Sequence, residues 1–548
     1  MNVNLLLITL IIFSCIFFNK ISFRFGIPTL FVFILLGMAF GSDGFARISF
    51  NNFALSETVC SVALIYIMFY GGFGTNWKMA RPVARQSILL STAGVFLTAL
   101  FLGLFLYLLI RREFWLCFLT GSALASTDAA SVFSVLRSQK LDLKENTASI
   151  LELESGSNDP MAYMLTLVCL SFLTGEADAG SILRLLTTQI VFGIAIGALC
   201  GLLSYRILKS VSFEVDGFDV IFIAGIALFS YALSAALGGN GYLSTYLTGI
   251  ILGNVKMGGK KNIVHFFDGL TGLMQMAVFF LLGLLATPSL LPGVLISAVS
   301  VFLFLTLVAR PLAVKLLLLP FRASKGQSRL ISFAGLRGAS SIVFAIMAVQ
   351  TLKSDTRFFH IIFFVVLLSL LVQGSLLPFA ARRFDMIDLS NDVMKTFTDY
   401  SEELPVQFIQ LTLAEDNEWV GKHISELALP LQFLFLLIVR EDKKLVPKGT
   451  TLLEAGDSLI LCAPAVQTKN AMQLSEIEID KSSEYLHRHI RDINLPRGEI
   501  IFLIQRGNQS IIPNGQTEIL AGDTLMLTRL KEKERSPHSP SRVLTSGQ

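Results

Sequence analysis

Between Met1 and Arg383 the chain alternates long apolar runs with short polar joints. Crossing a bilayer takes a helix of roughly 20 apolar residues, and shorter segments suffice where neighbouring helices bury them. On that rule the pattern predicts about 13 spans, beginning near residues 3, 27, 54, 86, 114, 147, 184, 216, 240, 262, 292, 328 and 357. The run Tyr242–Leu252 is the shortest of them. From Phe384 onward the composition becomes that of an ordinary soluble protein. The shift predicts a membrane domain over residues 1–383 and a water-soluble region after it.

Composition agrees with that division. Of 548 residues, 53% are hydrophobic and 15% charged, where a soluble domain carries roughly 25% charged residues. The placement of the basic residues adds an orientation. One set of alternating joints holds Lys20 and Arg24; Lys78, Arg81 and Arg85; Arg137, Lys140 and Lys144; Arg206 and Lys209; Lys256, Lys260 and Lys261; Arg322, Lys325 and Arg329; and Arg382 and Arg383. The opposite set holds chiefly Arg47, Arg111, Arg112, Lys353 and Arg357, and includes the acidic stretch Glu176–Asp178. Lys and Arg in short loops stay cytoplasmic. The N-terminus is therefore expected outside and the C-terminal region inside, which an odd number of spans allows. Met1–Phe18 has no basic start and no small-residue cleavage site, so it is expected to be a retained span. The six cysteines stand singly with no CxxC, which indicates neither a disulfide framework nor a zinc site. No metal, cofactor or nucleic-acid partner is expected.

Ionisable side chains within a span are costly and normally face a cavity or a partner. Three segments stand out. The first, residues 121–131, is crowded with Gly, Ala, Ser and Thr around Asp128. Small residues let backbones approach closely, and a helix broken at mid-membrane exposes amides and carbonyls that bind ions. The alternative is a packing face with Asp128 at a helix end. The second runs from Leu151 to Met161. Ser155 and Asp159 are spaced i, i+4 and share a helix face, as do Glu154 and Asn158. A carboxylate among hydroxyl and amide oxygens suits a monovalent cation, and the same group accepts a proton when burial makes its charge costly. Competition between the two would couple their movements. The third is Arg310, flanked by apolar sequence. A buried guanidinium needs a carboxylate, and Glu154 is the candidate; the alternative is that Arg310 snorkels beside Lys315. Arg337, in the glycine- and serine-rich stretch 334–341, is placed to offset helix dipoles if that span unwinds.

The strings Ser126-Thr127-Asp128-Ala129-Ala130, Glu154-Ser155-Gly156-Ser157-Asn158-Asp159-Pro160, Gly238–Asn254, Gly335-Leu336-Arg337-Gly338 and Val372–Pro378 follow in this order. In them the chain resembles the monovalent cation:proton antiporters of the NhaP branch, over essentially all of residues 1–383. The resemblance implies a polytopic α-helical membrane fold of about 13 helices in inverted repeats with broken helices. It implies a homodimer in which a core bundle moves against a dimerisation scaffold. It also implies that an unwound fifth helix brings Thr127 and Asp128 to the site, and that the sixth brings Asp159 and Ser155 with Asn158 beside them. The Asn-Asp pair implies electroneutral exchange, and a Glu154–Arg310 bridge fits the family's pattern. There is one departure. Many relatives carry an acidic residue just before Gly-Gly in the third helix, where this chain has Tyr70 before Gly71 and Gly72.

The soluble region repeats itself at an offset of 66 without gaps, so that Val420–Leu461 matches Leu486–Leu527. His423 falls on His489, Leu429-Pro430 on Leu495-Pro496, Arg440 on Arg506 and Asp457 on Asp523. Each copy predicts a strand, a short helix and further strands joined by Gly/Asp turns, a small α+β module. The two, over residues 404–466 and 480–530, resemble the C-terminal lobe of TrkA-type potassium-conductance regulators. That resemblance implies regulatory dimerisation or binding of a small ligand such as a nucleotide. No glycine-rich dinucleotide fingerprint is present, and residues 531–548 are expected to be disordered.

These features point to a secondary antiporter of a bacterial inner membrane, exchanging a monovalent cation for protons at Asp159. Potassium is favoured over sodium by association with the lobes alone; sodium/proton exchange by the same mechanism is the alternative. A ligand-gated cation channel would need a filter sequence, which is absent. A membrane sensor would not require Asp128, Asp159 and Arg310 together. No P-loop is present, so an ATP-driven pump is not expected.

Overall fold

The computed structural model describes residues 2–388 apart from 26–27, 140, 176–177, 211–216, 256, 258–259 and 354–356. Beyond them it describes residues 406–530 apart from 415–416, 418, 428–433, 441–442, 465–471, 480–482, 484, 494, 496–498, 507–508 and 512. Lys140, Glu176, Lys256, Pro430, Pro496 and the tail 531–548 lie outside the described residues. The chain divides into two compact units between Ser401 and Glu402.

The first unit is helical apart from one antiparallel pair of short strands, Asp142–Leu143 with Ile387–Asp388. Among the described residues its spans are Asn2–Phe25, Thr29–Phe40, Phe53–Gly74, Ala84–Ile110, Phe114–Ala125 with Ala129–Ser138, Thr147–Leu173, Ala179–Ser210, Phe218–Ala236, Gly241–Asn254, Lys260–Leu285, Pro288–Phe321, Lys325–Phe333 with Ala339–Leu352, and Arg357–Arg383. Eight are long and apolar enough to cross a bilayer unaided, and the chain is a multi-pass membrane protein. The seventh span begins at Ala179, five residues before the apolar run suggested. Its first turn is Ala179-Gly180-Ser181 and Arg184 follows closely, so hydropathy alone starts it late. The short Gly241–Asn254 helix is buried by contact. A Cβ at Gly249 would meet the Phe69 carbonyl oxygen at 2.2 Å, and one at Gly253 the Phe73 carbonyl oxygen at 2.0 Å. Only glycine lets these backbones touch, so part of the Gly238–Asn254 string is explained by packing.

Two spans are broken, one at Ser126–Asp128 and one at Ala334–Gly338. Each follows a helix with a π-helical turn, at Leu90–Gly94 and at Leu305–Ala309. The second π turn leads into Arg310-Pro311, where proline lacks the amide that a regular ladder needs. The broken spans run antiparallel. Trp115, at the start of one, stacks on Phe172 at the end of Thr147–Leu173, with ring centroids 3.6 Å apart. Gln327, at the start of the other, donates from Nε2 to the Glu145 carbonyl at the opposite end, 2.9 Å away. Opposed directions for equivalent elements are what inverted repeats require.

The second unit holds two four-stranded antiparallel sheets. Strands Val406–Thr412, Leu434–Arg440, Lys443–Leu445 and Ser458–Pro464 form one, with the fourth strand between the first two. Met472–Glu478, Glu499–Arg506, Gln509–Ile511 and Asp523–Leu530 form the other in the same order. Met472–Glu478 lies ahead of residue 480, so the second sheet draws on chain before the boundary that the repeat suggested. The matching short helices are Ile424–Glu426 and Ile490–Asp492. Each lobe has its own apolar core, around Ile438 and Leu459 in one and Ile504 and Leu525 in the other.

Candidate cation and proton site

The two breaks meet. The Asp128 amide donates to the Leu336 carbonyl at 2.8 Å, which joins one interrupted backbone to the other. A Cβ at Gly338 would lie 2.5 Å from that of Asp128, so the glycine is what allows the approach. Four half-helix ends therefore converge inside the unit, and their unpaired backbone groups need partners.

Side chains supply them. Arg337, buried, donates from Nη1 to the carbonyls of Ala125 at 2.8 Å and Ser126 at 2.7 Å, capping the end of Phe114–Ala125. A cation at the negative end of a helix is favourable. Gln373 donates to the Phe333 carbonyl at 3.1 Å and serves the other half-helix in the same way. Asp128 accepts from the amides of Ala130 at 3.0 Å and Ser131 at 3.4 Å, and from the Ser131 hydroxyl at 2.6 Å. It is the N-cap of Ala129–Ser138. Ser155 clamps the same break: its hydroxyl donates to the Thr127 carbonyl at 2.8 Å and accepts from the Ala129 amide at 2.7 Å.

Asp159 is buried on Thr147–Leu173, facing the break. The Ser126 hydroxyl donates to its Oδ1. Ser126 and Ser340 hydroxyls lie 2.9 Å apart, so Ser340 continues the chain to the second broken span. Asn158 donates from Nδ2 to the Thr127 hydroxyl at 2.6 Å, and its Oδ1 lies 3.4 Å from the Ser126 hydroxyl. One carboxylate thus sits among hydroxyl and amide oxygens from three helices, away from bulk water.

Glu154 and Arg310, 1% and 2% exposed, pair through Oε1 and Nη2 at 2.5 Å. Arg310 does not snorkel. The pair holds Pro288–Phe321 to Thr147–Leu173. Gly335 leaves room for the guanidinium, since a Cβ there would come within 3.0 Å of Arg310 Nε.

The structure thus gathers Thr127, Asp128, Ser155, Asn158 and Asp159 at one crossing, with Arg337 capping it and Glu154–Arg310 as a separate tie. Ser126, Ser340 and Gln373 join them without a signal of their own in the sequence, although all three stand inside the strings 126–130, 334–341 and 372–378. Nothing in spacing reveals contacts between residues 214 apart. A cleft of about 260 Å3 borders the half-helix Ala129–Ser138, lined by Ala130 and Ser134 with Thr29, Leu30, Phe33, Gly272, Gln275 and Met276. Tyr70 donates its hydroxyl to Asp268, on Lys260–Leu285. A carboxylate therefore stands beside Tyr70 after all, supplied by a different helix.

Comparison with known proteins agrees with this architecture. Residues 408–472 and 474–528 match the TrkA-C domain. A K(+)/H(+) antiporter NhaP2 of Shewanella sp. (strain MR-4) is 35% identical over 471 residues, covering 84% of this chain and 80% of that one. A K(+)/H(+) antiporter NhaP of Alkalimonas amylolytica is 32% identical over 470 residues, covering 85% and 82%. The fold is similar to that of the sodium proton antiporter MjNhaP1 from Methanocaldococcus jannaschii, with TM-score 0.62 and 23% identity over 69% of this chain and 97% of that one. Residues 7–383 match the transmembrane sodium/hydrogen exchanger model, and the chain belongs to that family of membrane antiporters.

Proposed function

We propose that this protein is a secondary antiporter that exchanges potassium for protons, in preference to sodium, by competition at Asp159. The single observation that carries the reading is the buried Asp159 carboxylate at the crossing of two broken helices, ringed by Ser126, Ser340, Asn158 and Thr127. A carboxylate there binds a proton or a partly dehydrated cation, and not both. One charge in and one charge out makes the exchange electroneutral. Asp128, Ser155 and Arg337 keep the break in shape, and Glu154–Arg310 ties the moving bundle together.

Potassium is supported by the potassium/proton relatives, each covering more than four-fifths of this chain. A low-affinity Na(+)/H(+) antiporter NhaS1 of Synechocystis is 24% identical over 66% of the chain, so sodium is the competing ion. The basic joints support a cytoplasmic C-terminal region in a bacterial inner membrane. The lobes act as a regulatory dimerisation or nucleotide-binding module, and the transporting form is a homodimer.

The test uses the purified chain in liposomes carrying a proton gradient and a pH dye. KCl, NaCl or LiCl is added with and without valinomycin and a protonophore. Collapse of the gradient by potassium, independent of membrane potential and lost in Asp159→Ala, is the expected result. Collapse by sodium or lithium alone would overturn the ion assignment. Isotope flux without proton movement would point to a channel.

A further inference from the structure

The helix Lys260–Leu285 carries a carboxylate that the site does not use. Asp268, Gly272 and Gln275 are spaced i, i+4 and i+7, so they share one face of that helix. Gly272 and Gln275 line the cleft together with Ala130 and Ser134 of the half-helix capped by Asp128. Asp268 stands one turn from Gly272 toward Lys260, the end where the basic joints lie. Its side chain is exposed. No atom lies within 4 Å of a Cβ built at Gly269 or Gly272, so this face is open rather than packed.

The carboxylate is also held in place. Tyr70 donates its hydroxyl to Asp268, and the Tyr70 ring stacks on Phe267 with centroids 6.0 Å apart. Phe267 is buried among Phe69, Phe73 and Ile263. A phenol orients a carboxylate without cancelling its charge. An ionisable residue kept within a span is a functional candidate by cost alone. One helical turn from a cleft with low-dielectric walls, a negative charge raises the local concentration of cations.

We propose that Asp268, oriented by Tyr70, is the cation-gathering residue of the transport path. It draws a monovalent cation into the cleft, which then passes Gln275 and Ser134 to the crossing at Asp128 and Asp159. The inference rests on the antiport reading and adds an access residue to it.

The test is the potassium dependence of initial exchange rates in proteoliposomes for the full chain, Asp268→Asn, Asp268→Glu and Tyr70→Phe. In Asp268→Asn the KM for potassium should rise by roughly three- to tenfold while the maximal rate stays within about twofold. Asp268→Glu should restore most of the KM, and Tyr70→Phe should fall between. Added choline chloride should narrow the gap between the full chain and Asp268→Asn, because salt screens the attraction. An unchanged KM in Asp268→Asn, or a fall in maximal rate with KM constant, would overturn the proposal. Should that variant not assemble, Tyr70→Phe decides: a raised KM supports the path and an unchanged one removes it. Absence of exchange in the unaltered chain would sink the antiport reading and this inference together; intact exchange with unshifted KM sinks this one alone.

Discussion

The protein uses arginine–carboxylate pairs in both of its units, and it finishes them differently. In each lobe the guanidinium forks onto one buried aspartate. Arg440 donates from Nε and Nη2 to the two oxygens of Asp457 at 2.7 and 2.8 Å, and Arg506 does the same to Asp523 at 2.8 and 2.8 Å. Nη2 also reaches a carbonyl, that of Leu452 or Glu518, and each aspartate accepts a backbone amide as well. The membrane pair is sparser. Glu154 and Arg310 meet through one contact, and Glu154 Oε2 and Arg310 Nε are buried with no hydrogen-bond partner among the described residues.

A fully satisfied fork fixes one geometry, which suits a lobe whose fold must be kept twice over. A buried pair with atoms to spare is weak as a source of stability, yet losing one partner strands a charge in an apolar interior. The same residue types therefore act as a rivet in one unit and as a tie within a bundle in the other. That difference sets the order of the expected effects.

The largest belongs to the site rather than to either pair: Asp159→Asn should abolish cation/proton exchange in a chain that still elutes as folded protein. Retained exchange would remove Asp159 as the carrier. Next is Arg310→Ala, expected to cost about 3–5 kcal/mol because Glu154 is left uncompensated. Combining it with Glu154→Leu should recover part of that loss in thermal unfolding; strictly additive losses would mean the two side chains do not act as a pair.

In the lobes, Asp523→Asn should cost about 1.5–3 kcal/mol locally, the scale of hydrogen bonds to a charged group. Hydrogen exchange along Asp523–Leu530 reads it. The Arg506 hydrogen bonds hold the Asp523 carboxyl below the usual carboxylate range, outweighing burial. A depressed folded pKa means the contribution is fully present above the unfolded value of about 4 and is lost as pH falls through the folded value. Acid should therefore loosen this strand in the unaltered chain and leave Asp523→Asn insensitive over that window; equal acid sensitivity would refute the assignment. The smallest effect is expected from Ser340→Ala, which removes one neutral hydroxyl from the Asp159 network. It should weaken apparent potassium affinity about fivefold, near 1 kcal/mol, and an unchanged affinity would place Ser340 outside the cation's shell.

Much of the fold was legible in the residues. The starts of the membrane helices fall close to where the apolar runs begin, since hydropathy is read span by span. The gapless repeat paired Arg440 with Arg506 and Asp457 with Asp523, and each pair takes equivalent positions in two sheets of one topology. The site was legible only as a set of suspects. Asp128 and Ser155 looked like ligands and are hydrogen-bonded as cap and clamp of a broken helix. Ser126 and Ser340 reach the Asp159 network, and no spacing rule joins them.

The sequence alone determined the spans, the division into membrane and soluble units, the repeat, and which charges had to be explained inside a bilayer. Each is a property of neighbouring residues or of self-similarity. Only the tertiary structure decided which groups those charges meet. Helix breaks leave carbonyls and amides that must be satisfied, and the crossing of two distant breaks selects the side chains that satisfy them. Asp159 faces the hydroxyls that remain, and Tyr70 meets Asp268, 198 residues away, because their helices pack together.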